Sequence, residues 1–225
     1  MSVMRISGLV LALTITGRGL PAQGAVTGQV SMLERPGEKT EDLGNVVVFL
    51  DPALGYHGKL GPTNAVIAAQ SRQFSPRVRV ITPGGRVEFP NLDPFSHNAF
   101  SKAATDAFDT GLFGRGKTKD AVFPDPGIVP VYCNIHPRMT AFVIVVKSPW
   151  FAQAGGDGRF AIDHVPAGKY TMHVWHDRGA EQVSELTVPA SGTTGLKVQL
   201  DARNYKYVQH KDKFGKDYVF AGDIY

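Results

Sequence analysis

The sequence predicts an all-β protein, and three features carry that expectation. Turn formers are frequent, with 25 Gly and 15 Pro among 225 residues, so regular segments are repeatedly interrupted. Between the breaks stand short apolar runs rich in β-branched residues, such as Asn45-Val-Val-Val-Phe-Leu50 and Ala141-Phe-Val-Ile-Val-Val146. Elsewhere the pattern alternates with period two: Val78 and Val80 against Arg77 and Arg79, and Val87 and Phe89 against Arg86 and Glu88. That is the signature of half-buried strands.

Taken in order, the chain opens with Met1-Ser-Val-Met-Arg5 and an apolar stretch from Ile6 to Ile15. A short basic start before an apolar run too brief to span a bilayer predicts a signal peptide over 1–24, with a cleavage site among Pro21-Ala-Gln-Gly24. The expected destination is the bacterial periplasm. No later apolar run is long enough for a transmembrane helix, so no membrane span is expected. Val26–Val30 and Asn45–Leu50 read as two strands, and a Gly/Pro/His-containing connection runs from Asp51 to Pro62. The chemistry of Thr82-Pro-Gly-Gly85 predicts a hairpin between the two alternating segments. After an irregular stretch and the Pro126-Gly127 turn comes the strand Ile128–Cys133, in which Val129, Val131 and Cys133 share a face. The run Ala141–Val146 is apolar on both faces and requires cover on both. Gly155–Phe160, Val165–Trp175 and Ser184–Leu200 read as three further strand segments.

Three strands make a thin core, and the two strands before residue 51 have no obvious use in the middle of the chain. We therefore expect 25–55 and 150–200 to be two parts of one small β-sandwich, with a second sandwich, 63–147, inserted between them. Residues 201–225 form a C-terminal tail. The net charge of +4 comes partly from this tail, where basic and aromatic residues mix. No nucleic-acid-binding motif accompanies it, so the reading is a solvated tail lying on the protein or a partner, with no nucleic-acid ligand.

The one cysteine, Cys133, cannot form an internal disulfide. Its neighbours decide its role. In Tyr132-Cys133-Asn134-Ile135-His136-Pro137-Arg138-Met139, three potential ligands recur every third residue in a loop pinned by two strands, and His97 arrives from the earlier segment Asn91–Asn98. A soft thiolate, two imidazoles and a thioether are the donor set of a trigonal copper site with a weak axial sulfur. Alone, Cys133 would be a small core residue and Met139 a gap filler; together with His97 and His136 they point to one copper ion. His173 and His176 read as polar strand-edge residues, and His57, His164 and His210 lack ligand-like company.

These residues resemble the cupredoxin family, most closely short-loop members such as amicyanin and pseudoazurin, which share Cys-x-x-His-Pro-x-Met. The resemblance runs from about Val66 to Lys147. The flanks, with Val26-Thr-Gly-Gln-Val30, Asp157-Gly-Arg-Phe160 and Pro166-Ala-Gly-Lys-Tyr170, resemble the halves of a carboxypeptidase regulatory-like (transthyretin-like) domain. The whole is similar to exported proteins labelled methylamine-utilisation or plastocyanin-like. The resemblance implies a Greek-key sandwich with a type 1 copper site: His97 and His136 through one ring nitrogen each, Cys133 as thiolate, Met139 as axial ligand. Asn98, Asn134 and Pro137 would surround these ligands. Asn98 would donate its backbone amide to the Cys133 sulfur and tie the two ligand segments together near Asn134.

The implied activity is one-electron transfer between transient redox partners, with electrons leaving through the His136 edge. Pro94, Phe95, Leu112, Phe113 and Pro137 would form an apolar rim there, and Arg115, Lys117 and Arg138 would favour an acidic partner. The chain is not expected to be an enzyme, because no further histidine cluster accompanies Cys133. The alternative is a copper-delivery protein, or a structural β-sandwich whose metal stabilises the fold.

Overall fold

The computed structural model describes residues 23–218, and among them there is no α-helix. The signal-peptide expectation therefore falls almost wholly outside the described residues. Seventeen strands follow in order: β1 (Gln23–Leu33), β2 (Val47–Pro52), β3 (Ala65–Val66), β4 (Ala68–Gln70), β5 (Gln73–Ser75), β6 (Val78–Ile81), β7 (Gly85–Pro90), β8 (Phe100–Ser101), β9 (Phe108–Asp109), β10 (Thr118–Phe123), β11 (Gly127–Tyr132), β12 (Thr140–Val145), β13 (Phe151–Gln153), β14 (Arg159–Pro166), β15 (Gly168–Trp175), β16 (Gln182–Val188) and β17 (Thr193–Asp201). The fold is all-β.

Strands β1, β2 and β13 to β17 pair only with one another, in sheets ordered β14-β1-β17 and β13-β2-β15-β16. Strands β3 to β12 likewise pair among themselves, as β10-β7-β3, β6-β12-β11-β8-β9 and the hairpin β4-β5. Each group encloses its own core. Val26, Val30, Val48, Leu50, Phe160, Ile162, Val174 and Leu200 fill one. Ile67, Phe74, Val87, Phe89, Phe123, Val129, Val131 and Val143 fill the other. Burying a side chain of this size contributes roughly 1.5–3 kcal/mol, so both are substantial cores.

Strand β12 belongs to both sides of a boundary. Ala141, Val143 and Val145 face the second core. Ile144 and Phe142 turn the other way, to a third cluster with Val47, Val78, Val146 and Trp175. This is the double cover that its sequence requires. Arg77 pins the same seam, binding Asp177 at 2.6 Å and donating to the Thr140 carbonyl at 3.1 Å.

Three strand expectations need correction, the simplest being Val165–Trp175, which is the end of β14 and the whole of β15, in different sheets. Thr82–Gly85 does form a tight turn, with Gly85 N–H donating to the Thr82 carbonyl (2.9 Å) and Gly84 at φ +79°. It is not a β6–β7 hairpin: β6 runs parallel to β12, whereas β7 lies between β10 and β3. Turn chemistry reports that the chain reverses, not which strand it then pairs with. Ile81 and Val87, on either side of the turn, are both buried in the same core. A Cβ on Gly85 would sit 2.2 Å from the Thr63 carbonyl oxygen, so only glycine permits this corner. The hairpin is instead β4–β5, turned by Ser71 (φ 54°) and Arg72 (φ 57°). The segment Ser184–Leu200 is likewise two strands, β16 and β17, because Pro189 to Gly192 (φ +81°) form a turn closed by Gly192 N–H to the Pro189 carbonyl.

Candidate metal centre

Strand β11 carries alternate side chains Val129 and Val131 into the core, and Cys133, one step past its end, continues on that face with no exposed surface. The loop from Cys133 to Met139 then returns the chain to β12, where Tyr132 pairs with Thr140. Two backbone hydrogen bonds close it: Met139 N–H to the His136 carbonyl (3.0 Å) and Cys133 N–H to the Met139 carbonyl (3.2 Å). Met139 is fully buried in the cluster that holds Cys133.

His97 comes from the segment between β7 and β8. It is fixed by a two-way backbone bridge with Phe113, N–H to carbonyl at 3.1 and 2.8 Å. The buried Asn91 amide organises this segment, donating to the Phe95 carbonyl (2.8 Å) and the Phe113 carbonyl (3.0 Å).

The ligand atoms of His97, Cys133 and His136 all lie within 4.8 Å of one another. The Cys133 sulfur is 3.8 Å from His97 Nδ1 and 3.6 Å from His136 Nδ1. Ligands held at roughly 2.0 Å for nitrogen and 2.3 Å for sulfur, about 110–120° apart, are separated by roughly 3.5–3.7 Å. The three donors therefore fit a single metal ion. Thiolate with two imidazoles selects a soft or borderline cation, copper or zinc among them.

The electrostatics agree with ligation. Burial pushes the Cys133 thiol up, while backbone amides of Asn98, Ile135 and His136 bonded to the sulfur pull it back. Those three donors stabilise a thiolate once the proton is displaced. Burial, and the neighbouring charges of His97 and Arg72, lower His136 to about 4, so its ring is neutral at physiological pH with a lone pair free.

Asn98 joins the two ligand segments: its Oδ1 accepts from Asn134 N–H at 2.6 Å and its Nδ2 donates to Asp109 at 3.2 Å. Asn134 offers its own Oδ1 to the Lys213 N–H (2.8 Å), and the Pro137 carbonyl accepts from the Tyr207 hydroxyl (2.9 Å).

Asp93 was not foreseen. Its carboxylate, 6% exposed, accepts from the Ser71 N–H (2.7 Å), the Arg72 N–H (2.9 Å) and His97 Nε2 (2.8 Å). Burial alone would raise its pKa, but those donors outweigh it and the net shift is downward. An ionised carboxylate only accepts, so His97 holds a proton on Nε2, which leaves Nδ1, the nitrogen that faces Cys133, as the one able to bind a metal. The only sequence signal was an acid four residues before a histidine, which in a loop has no defined geometry.

The expected rim is altered at one position. Pro94 and Leu112 are exposed and Phe95 and Pro137 partly so, but Phe113 is 4% exposed and belongs to the core, drawn in by its bridge to His97. Exposed Ile135 lies in the ligand loop and was not among the expected rim residues. Arg115, Lys117 and Arg138 are exposed. His173 lies between Glu181 (2.8 Å) and Asp51 (3.8 Å), and His176 is buried beside Asp42 and Asp177.

No curated protein matches this chain. A protein-family model described as polysaccharide lyase family 4, domain II, matches residues 150–196. That is a different family from the carboxypeptidase regulatory-like domain the flanks resemble, so the match does not support that resemblance over the second flank. Among the solved structures similar to part of the chain are cupredoxins. One is a purple cupredoxin from Nitrosopumilus maritimus, 24% identical over 36% of this chain and 99% of that one, TM-score 0.33. Another is amicyanin from Paracoccus versutus, 20% identical over 45% of this chain and 98% of that one, TM-score 0.35.

Proposed function

We propose that this protein is a one-electron carrier holding a single type 1 copper ion through His97, Cys133 and His136, with Met139 as axial ligand. The observation that carries the reading is the convergence of a buried thiol and two imidazole nitrogens at the spacing one ion requires. When bound, copper supplies a Cu(II)/Cu(I) couple whose bond to thiolate gives intense visible absorption. The chain's own residues do the rest. Asp93 fixes the tautomer of His97, and the amides of Asn98, Ile135 and His136 hold the sulfur. Loop closure through Met139 and His136 keeps the donors in place, which limits movement between oxidation states.

His136 is half-buried while His97 and Cys133 have no exposed surface, which favours the His136 edge as the route to a partner. Exposed Pro94, Leu112 and Ile135 supply an apolar rim, and Arg115, Lys117 and Arg138 suit an acidic redox partner. We assign the chain to the periplasm, as a carrier and not an enzyme. We also assign 63–147 to a cupredoxin domain inserted between 25–55 and 150–200; the self-contained pairing of the two strand groups supports this division.

Copper loading of wild type and Cys133→Ser tests the reading. Wild type should give an intense visible band that bleaches and returns on reduction and reoxidation, and the serine variant should lack it. A wild-type protein that binds copper without that band, or surrenders it to a chelator on every redox cycle, would favour metal delivery and overturn the carrier.

A further inference from the structure

Beyond β17 the described residues, up to Tyr218, stay on the protein surface. Ala202 is buried, and its N–H donates to the Leu33 carbonyl. From there the tail reaches the ligand loop and binds it at three successive places. The Tyr207 hydroxyl donates to the Pro137 carbonyl (2.9 Å), Lys213 N–H to Asn134 Oδ1 (2.8 Å), and the Tyr218 hydroxyl to the Cys133 carbonyl (2.8 Å). Between these points the His210 ring stacks on Tyr132, centroids 4.4 Å apart and 24° between planes.

The tail is folded where it makes these contacts. Asp212 Oδ1 accepts from Phe214 N–H (2.9 Å) and Lys216 N–H (2.8 Å), and Gly215 takes φ +81° to complete the turn. This turn presents Lys213 with both its donors aimed inward. Its Nζ binds Asp109 at 2.6 Å. Asp109 also accepts from Asn98 Nδ2, Asn98 Oδ1 accepts from Asn134 N–H, and Asn134 Oδ1 accepts from Lys213 N–H. The hydrogen bonds thus close a ring through Lys213, Asp109, Asn98 and Asn134, joining the residues that follow His97 and Cys133 to the tail.

We infer that the segment from Tyr205 to Tyr218 is a strap belonging to the metal centre, with Tyr207, Lys213 and Tyr218 as positioning residues that hold the Cys133–Pro137 loop from its outer side. The inference rests on the copper reading for its metal, but not for the hold itself. Among the described residues the loop between β11 and β12 has no sheet partner, and its carbonyls at 133 and 137 accept from the two tail hydroxyls, without which they would need another donor or water. Anchoring them removes freedom from the sulfur and the His136 ring together.

The test is the full-length Tyr207→Phe/Tyr218→Phe protein, which keeps both rings and removes both hydroxyl donors. Exposed Val208, changed to Thr, is the control on the same segment. In the metal-free proteins, amide hydrogen exchange at Asn134, Ile135 and His136 should quicken about tenfold in the double variant, as expected for losing two bonds of ordinary strength. Exchange in β14 to β16 should not change. In copper-loaded protein, loss of metal to excess chelator should quicken by a similar factor. Unchanged loop exchange, or an equal rise throughout the molecule, overturns the strap. A wild type that takes up no copper sinks the carrier reading, yet leaves the metal-free exchange comparison to decide the strap by itself.

Discussion

Replacing Asp93 with Asn removes one charge and turns one acceptor into a donor where three donors converge. The carboxylate accepts from Ser71 N–H, Arg72 N–H and His97 Nε2, and is almost wholly buried. Hydrogen bonds to a charged partner contribute about 1.5–3 kcal/mol each, and an amide can keep only part of the set, so a loss of about 2–4 kcal/mol is expected. Part of that loss falls on the β4–β5 turn. Ser71 and Arg72 occupy the left-handed region, at about 1–2 kcal/mol apiece, and Asp93 is what secures both their amides. In a chain of this size the metal-free melting temperature should fall by about 5–15 °C. The second effect is chemical. A side-chain amide at position 93 that donates toward His97 obliges Nε2 to accept, and the ring proton moves to Nδ1, which faces the Cys133 sulfur. Metal affinity should then drop about 10–100-fold, the usual cost of losing a ligand's orienting partner. Thermal melts, metal competition titrations and nitrogen NMR of the His97 ring measure the three consequences. An Asp93→Asn protein with unaltered melting temperature and the proton still on Nε2 would refute this account.

Metal uptake at neutral pH should release about one proton, because burial keeps the Cys133 thiol protonated until a metal displaces the proton; calorimetry in buffers of different ionisation enthalpy measures it, and Cys133→Ser should abolish it. The metal-free fold should weaken as acid is added in two stages, followed by urea midpoints. His136 titrates at about 4 when folded and about 6.5 when unfolded, so stability declines as pH falls across that interval. Asp93, Asp42 and Glu34 lie below the ordinary carboxylate range: burial raises both aspartates, but the donors on Asp93 and Arg178 on Asp42 outweigh it, and Arg178 also lowers Glu34. Their contribution is intact above about pH 4 and is lost as pH drops through their depressed values. Gly85→Ala should cost about 1–3 kcal/mol in denaturant melts, because the added methyl meets the Thr63 carbonyl.

The strand content and the ligand loop were legible because both are local. Period-two alternation marks β7 whatever it pairs with, and Cys133, His136 and Met139 are close in sequence between two obvious strands. His97 could be named from residue type alone, since few other histidines had suitable neighbours. Partnership was not legible. Whether Thr82–Gly85 joins paired strands or opposite sheets depends on β12, about sixty residues away in the chain. The contacts of Tyr207 and Tyr218 with Pro137 and Cys133 span 70 and 85 residues, and nothing in a basic, aromatic tail announces its acceptors. Asp93 was hidden because its role requires a turn amide from Ser71 on one side and a histidine ring on the other.

The two-faced strand β12 also bears on engineering. Cutting out the segment from Ala65 to Val145 as a free module would strip Trp175 and Val47 from Phe142, Ile144 and Val78, leaving a greasy seam on the outer face of β12, together with an Arg77 bereft of Asp177. Such a fragment would invite self-association. Transplanting the metal loop onto a smaller scaffold therefore calls for polar replacements along that seam, or for carrying the flanking strands with it.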